Sequence, residues 1–146
     1  MRTAAKPGSK TDLASRLRVG VARLARRLRQ EGAGEDATPS QLTALSTLYH
    51  RGPLTPGELA TIERVKPPSM TRIVAALEER GLVTREPSPD DGRVVRIVVS
   101  DEGRRAHEEY QQRRDEWLHR RLADLTGEER AVLARAAELM ERLVAS

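Results

Sequence analysis

Apolar residues recur, over most of the chain, at the spacing of a buried helical face. A first stripe starts near Thr11 and is closed by the Gly-Ala-Gly segment 32–34; it consists of Leu13, Leu17, Val21, Leu24 and Leu28. Shorter stripes at 42–48 and 59–62 each follow a Thr-Pro pair. A spacing of three and four residues is typical of helices with one buried side. The pattern therefore predicts three helices in the first part of the chain.

The second and third helices begin with the same capping sequence. Residues 38–41 are Thr-Pro-Ser-Gln, and residues 55–58 are Thr-Pro-Gly-Glu. A threonine N-cap and a glutamine or glutamate three residues later can satisfy two backbone N–H groups reciprocally. Proline loses no hydrogen bond at the first helical position. We expect each helix to begin at its proline, with a complete capping box.

A fourth helix and a hairpin follow, and two long helices end the chain. The fourth helix starts around 67–69 and ends at Gly81, where a left-handed residue is favoured; its apolar positions are Met70, Ile73, Val74 and Leu77. Residues 82–86 and 94–99 are rich in β-forming residues, and the turn-forming segment 87–92 joins them. This pattern predicts a β-hairpin with an exposed tip. The last two helices begin at Ser100 and at a capping box over 126–129.

Composition limits the kinds of core and site that the chain can build. Hydrophobic residues make up 38% and aromatic residues 2%, with no phenylalanine, so the core must be aliphatic. The chain has no cysteine, which excludes disulfides, thiolate zinc sites and thiol-based redox sensing. No apolar run reaches the roughly 18 residues of a membrane span, and no signal-peptide pattern follows the basic N-terminus. We expect a cytoplasmic, mainly α protein with a small β-hairpin.

Charge is distributed unevenly along the chain. The net charge of +4 divides into +5 for residues 1–37, +1 for 38–100 and −2 for 101–146. A basic balance is compatible with a polyanionic partner. Arginine and glutamate alternate in the last segment, as on solvated helix faces.

Residues 55–100 have the layout of a winged helix-turn-helix, with a short helix, a tight connection, a second helix and a hairpin. Such a module places its second helix in the major groove of DNA. The candidate contacts at the start of that helix are Lys66, Ser69, Thr71 and Arg72. Short polar side chains and cations there suit bases and phosphates, and we expect free N–H groups at the helix start to suit phosphate.

The hairpin supplies a second group of candidate contacts. Arg93 lies at its tip, with Arg85 and Arg96 on the flanking strands. An arginine at a hairpin tip suits a narrow, electronegative minor groove. Asp91 would repel phosphate, so we expect its carboxylate to orient a neighbouring arginine through a charge-assisted hydrogen bond.

The sequence around the hairpin resembles the wing signature of the MarR family of regulators. The resemblance is carried by Gly81, by the run 91–93 (Asp-Gly-Arg) and by 100–103 (Ser-Asp-Glu-Gly). The run 68–72 (Pro-Ser-Met-Thr-Arg), with Leu-Glu at 77–78 and Gly-Leu-Val at 81–83, is similar to the recognition helix of that family. With less specific sequence, the resemblance extends from about Leu13 to Val144.

The resemblance implies a homodimer that binds a pseudo-palindromic double-stranded operator. It divides the chain into an N-terminal tail and dimerisation helix (1–37), a winged helix-turn-helix (38–100) and C-terminal dimerisation helices (101–146). It implies that Arg93 reaches the minor groove or its phosphates, and that Ser69, Thr71 and Arg72 contact the major groove. It also implies a repressor that a small amphipathic effector, bound between the dimer helices and the winged modules, releases from DNA.

Parts of the same sequence are compatible with other functions. A winged-helix module that binds proteins without specific DNA binding is the main alternative. His50, His107 and His119 are isolated in sequence, so structural or surface roles are expected rather than a metal site; zinc held across a dimer with Glu108 or Glu109 remains open. No motif of a hydrolase or nucleotide-binding enzyme occurs, so we expect neither catalysis nor a cofactor. Tyr110 and Trp117, seven residues apart, are expected to pack against a partner helix.

Overall fold

Six helices and one antiparallel hairpin follow one another in the order that the sequence predicts, within residues 10–34 and 36–146, which the computed structural model describes. The elements are α1 (Lys10–Ala33), α2 (Pro39–Arg51), α3 (Pro56–Glu63), α4 (Pro67–Glu79), β1 (Val83–Pro87), β2 (Val95–Val99), α5 (Asp101–Ala123) and α6 (Gly127–Ala145). The tail at residues 1–9 lies outside the described residues. The prediction of a mainly helical protein with a small hairpin is confirmed.

The helix starts are capped by threonine, although less completely than expected at two of them. Thr38 accepts the Gln41 N–H at 3.2 Å, and Thr55 accepts the Glu58 N–H at 3.1 Å. The reciprocal bond to the N-cap backbone forms only at the start of α6 among the described helices. At α3 the Thr55 hydroxyl itself donates to the Glu58 carboxylate, which keeps that carboxylate away from the backbone. The prediction of complete boxes at α2 and α3 was therefore wrong.

The hairpin pairs Val83 with Val99 and Pro87 with Val95, so each strand is one residue displaced from the predicted start. Leu82 lies in the turn that follows α4, where its N–H donates to the Leu77 carbonyl at 2.9 Å. Val94 belongs to the tip, because its N–H donates to the Asp91 carbonyl at 3.0 Å. On its other edge, β2 forms an antiparallel bridge with Leu54 in the α2–α3 connection.

The core lies between α2, α3, α4 and the hairpin. Its aliphatic side chains agree with the low aromatic content of the sequence. The buried members are Ala33, Leu42, Ala44, Leu45, Leu48, Leu59, Ala60, Met70, Val74, Leu77, Leu82, Val83, Ile97 and Tyr110.

Ser100 joins three elements at the base of the wing. Its hydroxyl donates to the Gly81 carbonyl and accepts the Gly103 N–H at 3.1 Å. Its own N–H donates to the Leu82 carbonyl at 3.0 Å. Gly103 then lies so close to that carbonyl that a Cβ atom there would overlap its oxygen. The end of α4, the base of the wing and the start of α5 are therefore fixed to one another.

The C-terminal part of α1 packs along α5. Gly32 was expected to help end α1, but it lies inside the helix, which ends before Gly34 at a φ of +63°. At Gly32 a Cβ atom would stand 2.5 Å from the Tyr110 ring. Arg113 also donates to the Gly32 carbonyl at 2.9 Å. The helix against which Tyr110 packs is thus α1 of the same chain.

Two helical faces remain exposed although they are apolar. No residue of α6, all of which the structure describes, is buried. The exposed apolar side chains of the two helices are Leu13, Leu17, Val19, Val21 and Leu24 on α1, and Val132, Leu133, Leu139, Met140, Leu143 and Val144 on α6. None of the helices in the described part of the chain is long and apolar enough to cross a membrane.

Candidate nucleic-acid interface

A tight connection between α3 and α4 sets the direction of α4. Arg64 adopts left-handed backbone angles, φ 53° and ψ 43°, and the Val65 N–H donates to the Ala60 carbonyl at 3.0 Å. Left-handed angles let the chain turn sharply after a helix. Helix α4 then packs on α2 and α3, which gives the helix-turn-helix arrangement that the sequence predicts.

Helix α4 has one buried face and one exposed face. Met70, Val74 and Leu77 are buried in the core. Ser69 and Arg72 are exposed on the outside of the helix. Among the described residues, Arg72 forms no ion pair and no hydrogen bond through its side chain, so its guanidinium is available to an external partner.

The N-terminus of α4 offers fewer backbone donors than expected. Lys66 is the exposed N-cap residue, and its side chain forms no capping bond. The two following residues, Pro67 and Pro68, have no N–H group. The first turn therefore keeps few of the donors that make helix starts bind phosphate, and the ammonium group of Lys66 is the feature there that suits an anion.

Thr71 can play only part of the role that its position indicates. Its hydroxyl donates to the Pro67 carbonyl at 3.0 Å. The donor is therefore in use, and the side chain offers an external partner its oxygen as an acceptor and its methyl group.

The tip of the wing presents Arg93 to solvent. Asp91 accepts the backbone N–H of Arg93 at 3.0 Å. The carboxylate thus orients the residue through its main chain, whereas the sequence predicted a bond to an arginine side chain. The Ser88 N–H also donates to the Val94 carbonyl at 2.7 Å. These bonds shape the turn. The Arg93 guanidinium itself has no hydrogen-bond or ion-pair partner among the described residues.

Arg85 is engaged within the chain. Its Nε donates to the Glu78 carboxylate at 2.9 Å, and both side chains are about two-fifths exposed. The pair connects the end of α4 to the first strand of the wing. The sequence predicted that Arg85 contacts DNA and gave Glu78 no role. Two residues seven positions apart, on either side of a helix end, show no sequence pattern that indicates an ion pair. Arg96, on the second strand, has its Nε buried and without a described partner.

The Glu78–Arg85 pair gives a test of whether Arg85 meets phosphate itself. If Arg85 acts by positioning the wing, Glu78→Gln and Arg85→Gln should weaken DNA binding by similar, small factors, about two- to fivefold, since exposed ion pairs contribute up to about 1 kcal/mol. The slope of log affinity against log salt should stay unchanged in both variants. A slope reduced by about one in Arg85→Gln alone would show a direct phosphate contact. Titration of labelled duplex at several salt concentrations measures both quantities.

Two of the histidines do not stand alone as their sequence spacing suggested. His107 is buried, and its ring lies 5.3 Å from the ring of the exposed His50. No group of three or more histidine, cysteine, aspartate or glutamate side chains that could hold a metal occurs among the described residues.

Comparison with known proteins agrees with this geometry. The model of the MarR family matches residues 37–95. The chain is 48% identical over 132 residues to an HTH-type transcriptional regulator of Mycobacterium bovis, covering 90% of this chain and 92% of that protein. It is 35% identical over 115 residues to the HTH-type transcriptional repressor MdtR of Bacillus subtilis, covering 74% of each.

A solved structure agrees along nearly the whole chain. The crystal structure of a putative transcriptional regulator from Pseudomonas aeruginosa shares 37% identity with a TM-score of 0.78, covering 94% of this chain and 98% of that one. The relatives therefore span the winged module and the long flanking helices alike. The chain belongs to the MarR family of DNA-binding transcriptional regulators.

Proposed function

We propose that the protein is a homodimeric repressor that binds a pseudo-palindromic operator through α4 and the wing. The observation that carries this proposal is the exposed face of α4, where Ser69, Thr71 and Arg72 lie opposite the buried Met70 and Val74. Because Ser100 fixes the base of the wing to the end of α4, Arg93 is held at a constant place relative to that face. Helix α4 would read base edges while Arg93 enters the flanking minor groove.

The exposed apolar faces of α1 and α6 support the homodimer. A groove between these helices is lined by Leu17, Val21, Leu24, Leu28 and Met140. Contiguous apolar surface of this kind marks interaction sites in soluble proteins. A second copy of the chain would cover it with the same surface, as a two-fold interface requires.

Repression and release by an effector form the rest of the proposal. The name of the relative MdtR supports repression. A small cavity of about 100 Å³ lies between α1, α2 and α5; its lining includes Ala37, Leu42 and Ala106, with Glu109 and Arg113. Pockets for organic ligands usually have about 300 Å³ or more, so an amphipathic effector bound in this cavity would need space that the second protomer or a shift of α5 provides. The protein would act in the cytoplasm, without cofactor or catalysis.

The test is fluorescence anisotropy with duplex from the region upstream of the gene, compared with random duplex, at about 50 and about 200 mM salt. Arg93→Ala should weaken binding by roughly 5- to 150-fold, because a specific arginine contact to DNA contributes about 1–3 kcal/mol. Arg135→Ala is the matched control, since Arg135 lies on α6 and pairs there with Glu138. It should leave affinity unchanged. Equal and weak binding of both duplexes would contradict the proposal and favour a protein-binding module.

A further inference from the structure

His107 occupies an unusual place for a polar side chain. It lies on α5, is 1% exposed, and packs against α2. Its ring stacks on that of Tyr49 at 4.1 Å, tilted by 33°, and meets His50 edge-on at 5.3 Å and 88°. The stacking resembles the packing of an aromatic core residue, although this side chain can take up a proton.

Neither ring nitrogen of His107 has a hydrogen-bond partner among the described residues. A neutral imidazole presents one donor and one acceptor, whereas an imidazolium presents two donors and a full charge. An uncompensated buried charge costs much more free energy than an unpaired neutral group. The packing between α2 and α5 therefore tolerates neutral His107 and opposes its protonation.

The charges around His107 act mostly in the same direction. His50 faces it from α2, and Arg114 and Glu108 act on it from α5 itself. Arg104 of α5 places its guanidinium 5.7 Å from the neighbouring Tyr49 ring. Burial most of all, then His50 and Arg114, lower the pKa of His107 below its ordinary value near 6.5, and Glu108 opposes them weakly.

The contact between α2 and α5 connects the winged module to the long helices. Helix α2 supplies Leu42, Leu45 and Leu48 to the core on which α4 packs. Helix α5 starts at the base of the wing, extends beyond the winged module and packs there along α1. Loosening this contact would let the winged module move relative to the long helices. In a dimer, this movement would change the spacing of the two recognition helices.

We propose that His107 makes this regulator acid-responsive: taking up a proton on the buried imidazole opens the contact between α2 and α5 and lowers affinity for the operator. The proposal rests on the function proposed above. The sign follows from linkage, because the opened state binds the proton more readily than the closed one. The contribution of neutral His107 to the closed state is fully present above about pH 6.5 and is lost as the pH falls below that value, by up to about tenfold per pH unit.

The experiment compares operator affinity at about pH 7.5 and about pH 5.5, at constant ionic strength, in the wild type and in His107→Phe. Phenylalanine keeps a ring stacked on Tyr49 and cannot titrate. We expect acidification to weaken binding by the wild type by up to about tenfold, the limit that one proton sets at this pH, and to leave His107→Phe unweakened. A general gain of positive charge on acidification would strengthen DNA binding, so weakening is specific to an opening. His119→Gln, on the exposed part of α5, should respond as the wild type does.

A second readout separates this proposal from the function on which it rests. Between about pH 7.5 and about pH 5.5, the urea midpoint of the wild type should fall by more than the urea midpoint of His107→Phe. This measurement is made without DNA and does not depend on the identity of the operator. If the phenylalanine variant does not fold, the imidazole protons of wild-type His107, followed by NMR, should titrate below the ordinary value. Equal pH dependence in both proteins, or a His107 that titrates at or above its ordinary value, would overturn the proposal. Absence of operator binding at both pH values, with the urea shift present, would overturn the function alone.

Discussion

Leu24→Glu should abolish the proposed homodimer and lower the affinity for a full operator by roughly 100-fold or more, because two linked half-site contacts would become one. Leu24 is 45% exposed and lines the apolar groove between α1 and α6. A carboxylate there, among Leu17, Val21 and Leu28, would lose its water on dimerisation, which is strongly unfavourable. Sedimentation velocity and anisotropy on the same samples measure the mass and the affinity.

The matched control for this prediction is Leu24→Met, which keeps an apolar side chain of similar volume. It should remain dimeric and bind as the wild type does, since such exchanges usually cost less than about 1.5 kcal/mol. Helical circular dichroism should be equal in both variants, because Leu24 lies outside the buried core. A Leu24→Glu protein that keeps the dimer mass would show that this groove is not the interface.

Gly103→Ala should lower the free energy of unfolding by about 3 kcal/mol, at the upper end of the range for inserting a methyl group into a packed site. The added Cβ would overlap the carbonyl oxygen of Leu82 and come within 2.8 Å of a Val99 methyl group. That oxygen is backbone and accepts the N–H of Ser100, so it cannot move without separating the wing from α5. Urea unfolding followed by circular dichroism measures the change.

Gly57→Ala is the control for the packing argument. Gly57 is also in the first turn of a helix, and the nearest atom that its Cβ would meet is the Thr55 hydroxyl oxygen at 3.9 Å. Alanine there should be neutral or stabilising by up to about 1 kcal/mol, as helix propensity predicts. A Gly103→Ala protein as stable as the control would mean that α5 can move away from the wing without loss.

The features that the sequence predicted are those with local causes. Threonine caps, the Thr-Pro helix starts and the change from helical to strand period each depend on residues within a few positions of one another. For this reason the starts of the helices and strands were predicted to within about one residue. The strand starts were predicted one residue too early, at Leu82 and Val94. The Leu82 N–H bonds to the end of α4 and the Val94 N–H bonds within the tip turn, where the sequence predicted that both residues belong to strands.

The features that the sequence did not predict depend on tertiary packing. Gly32 looked like a helix end, and only its closeness to Tyr110 explains why a glycine stands inside α1. His50 and His107 belong to different helices, and nothing in their spacing indicates that their rings meet. Arg85 was proposed for DNA on its charge, whereas its carboxylate partner lies across the end of α4. Charge indicates that a residue seeks a partner but does not identify that partner.

The two-sided character of α4 also bears on how such a regulator can change over evolutionary time. The side chains that hold the helix in place, among them Met70 and Leu77, are separate from those that face outward, such as Ser69 and Arg72. Surface substitutions away from packed or capped positions usually change stability by no more than about 0.5 kcal/mol. The outward positions can therefore be exchanged at little cost to folding, and a duplicated copy of the gene could acquire a new target sequence while keeping the same scaffold.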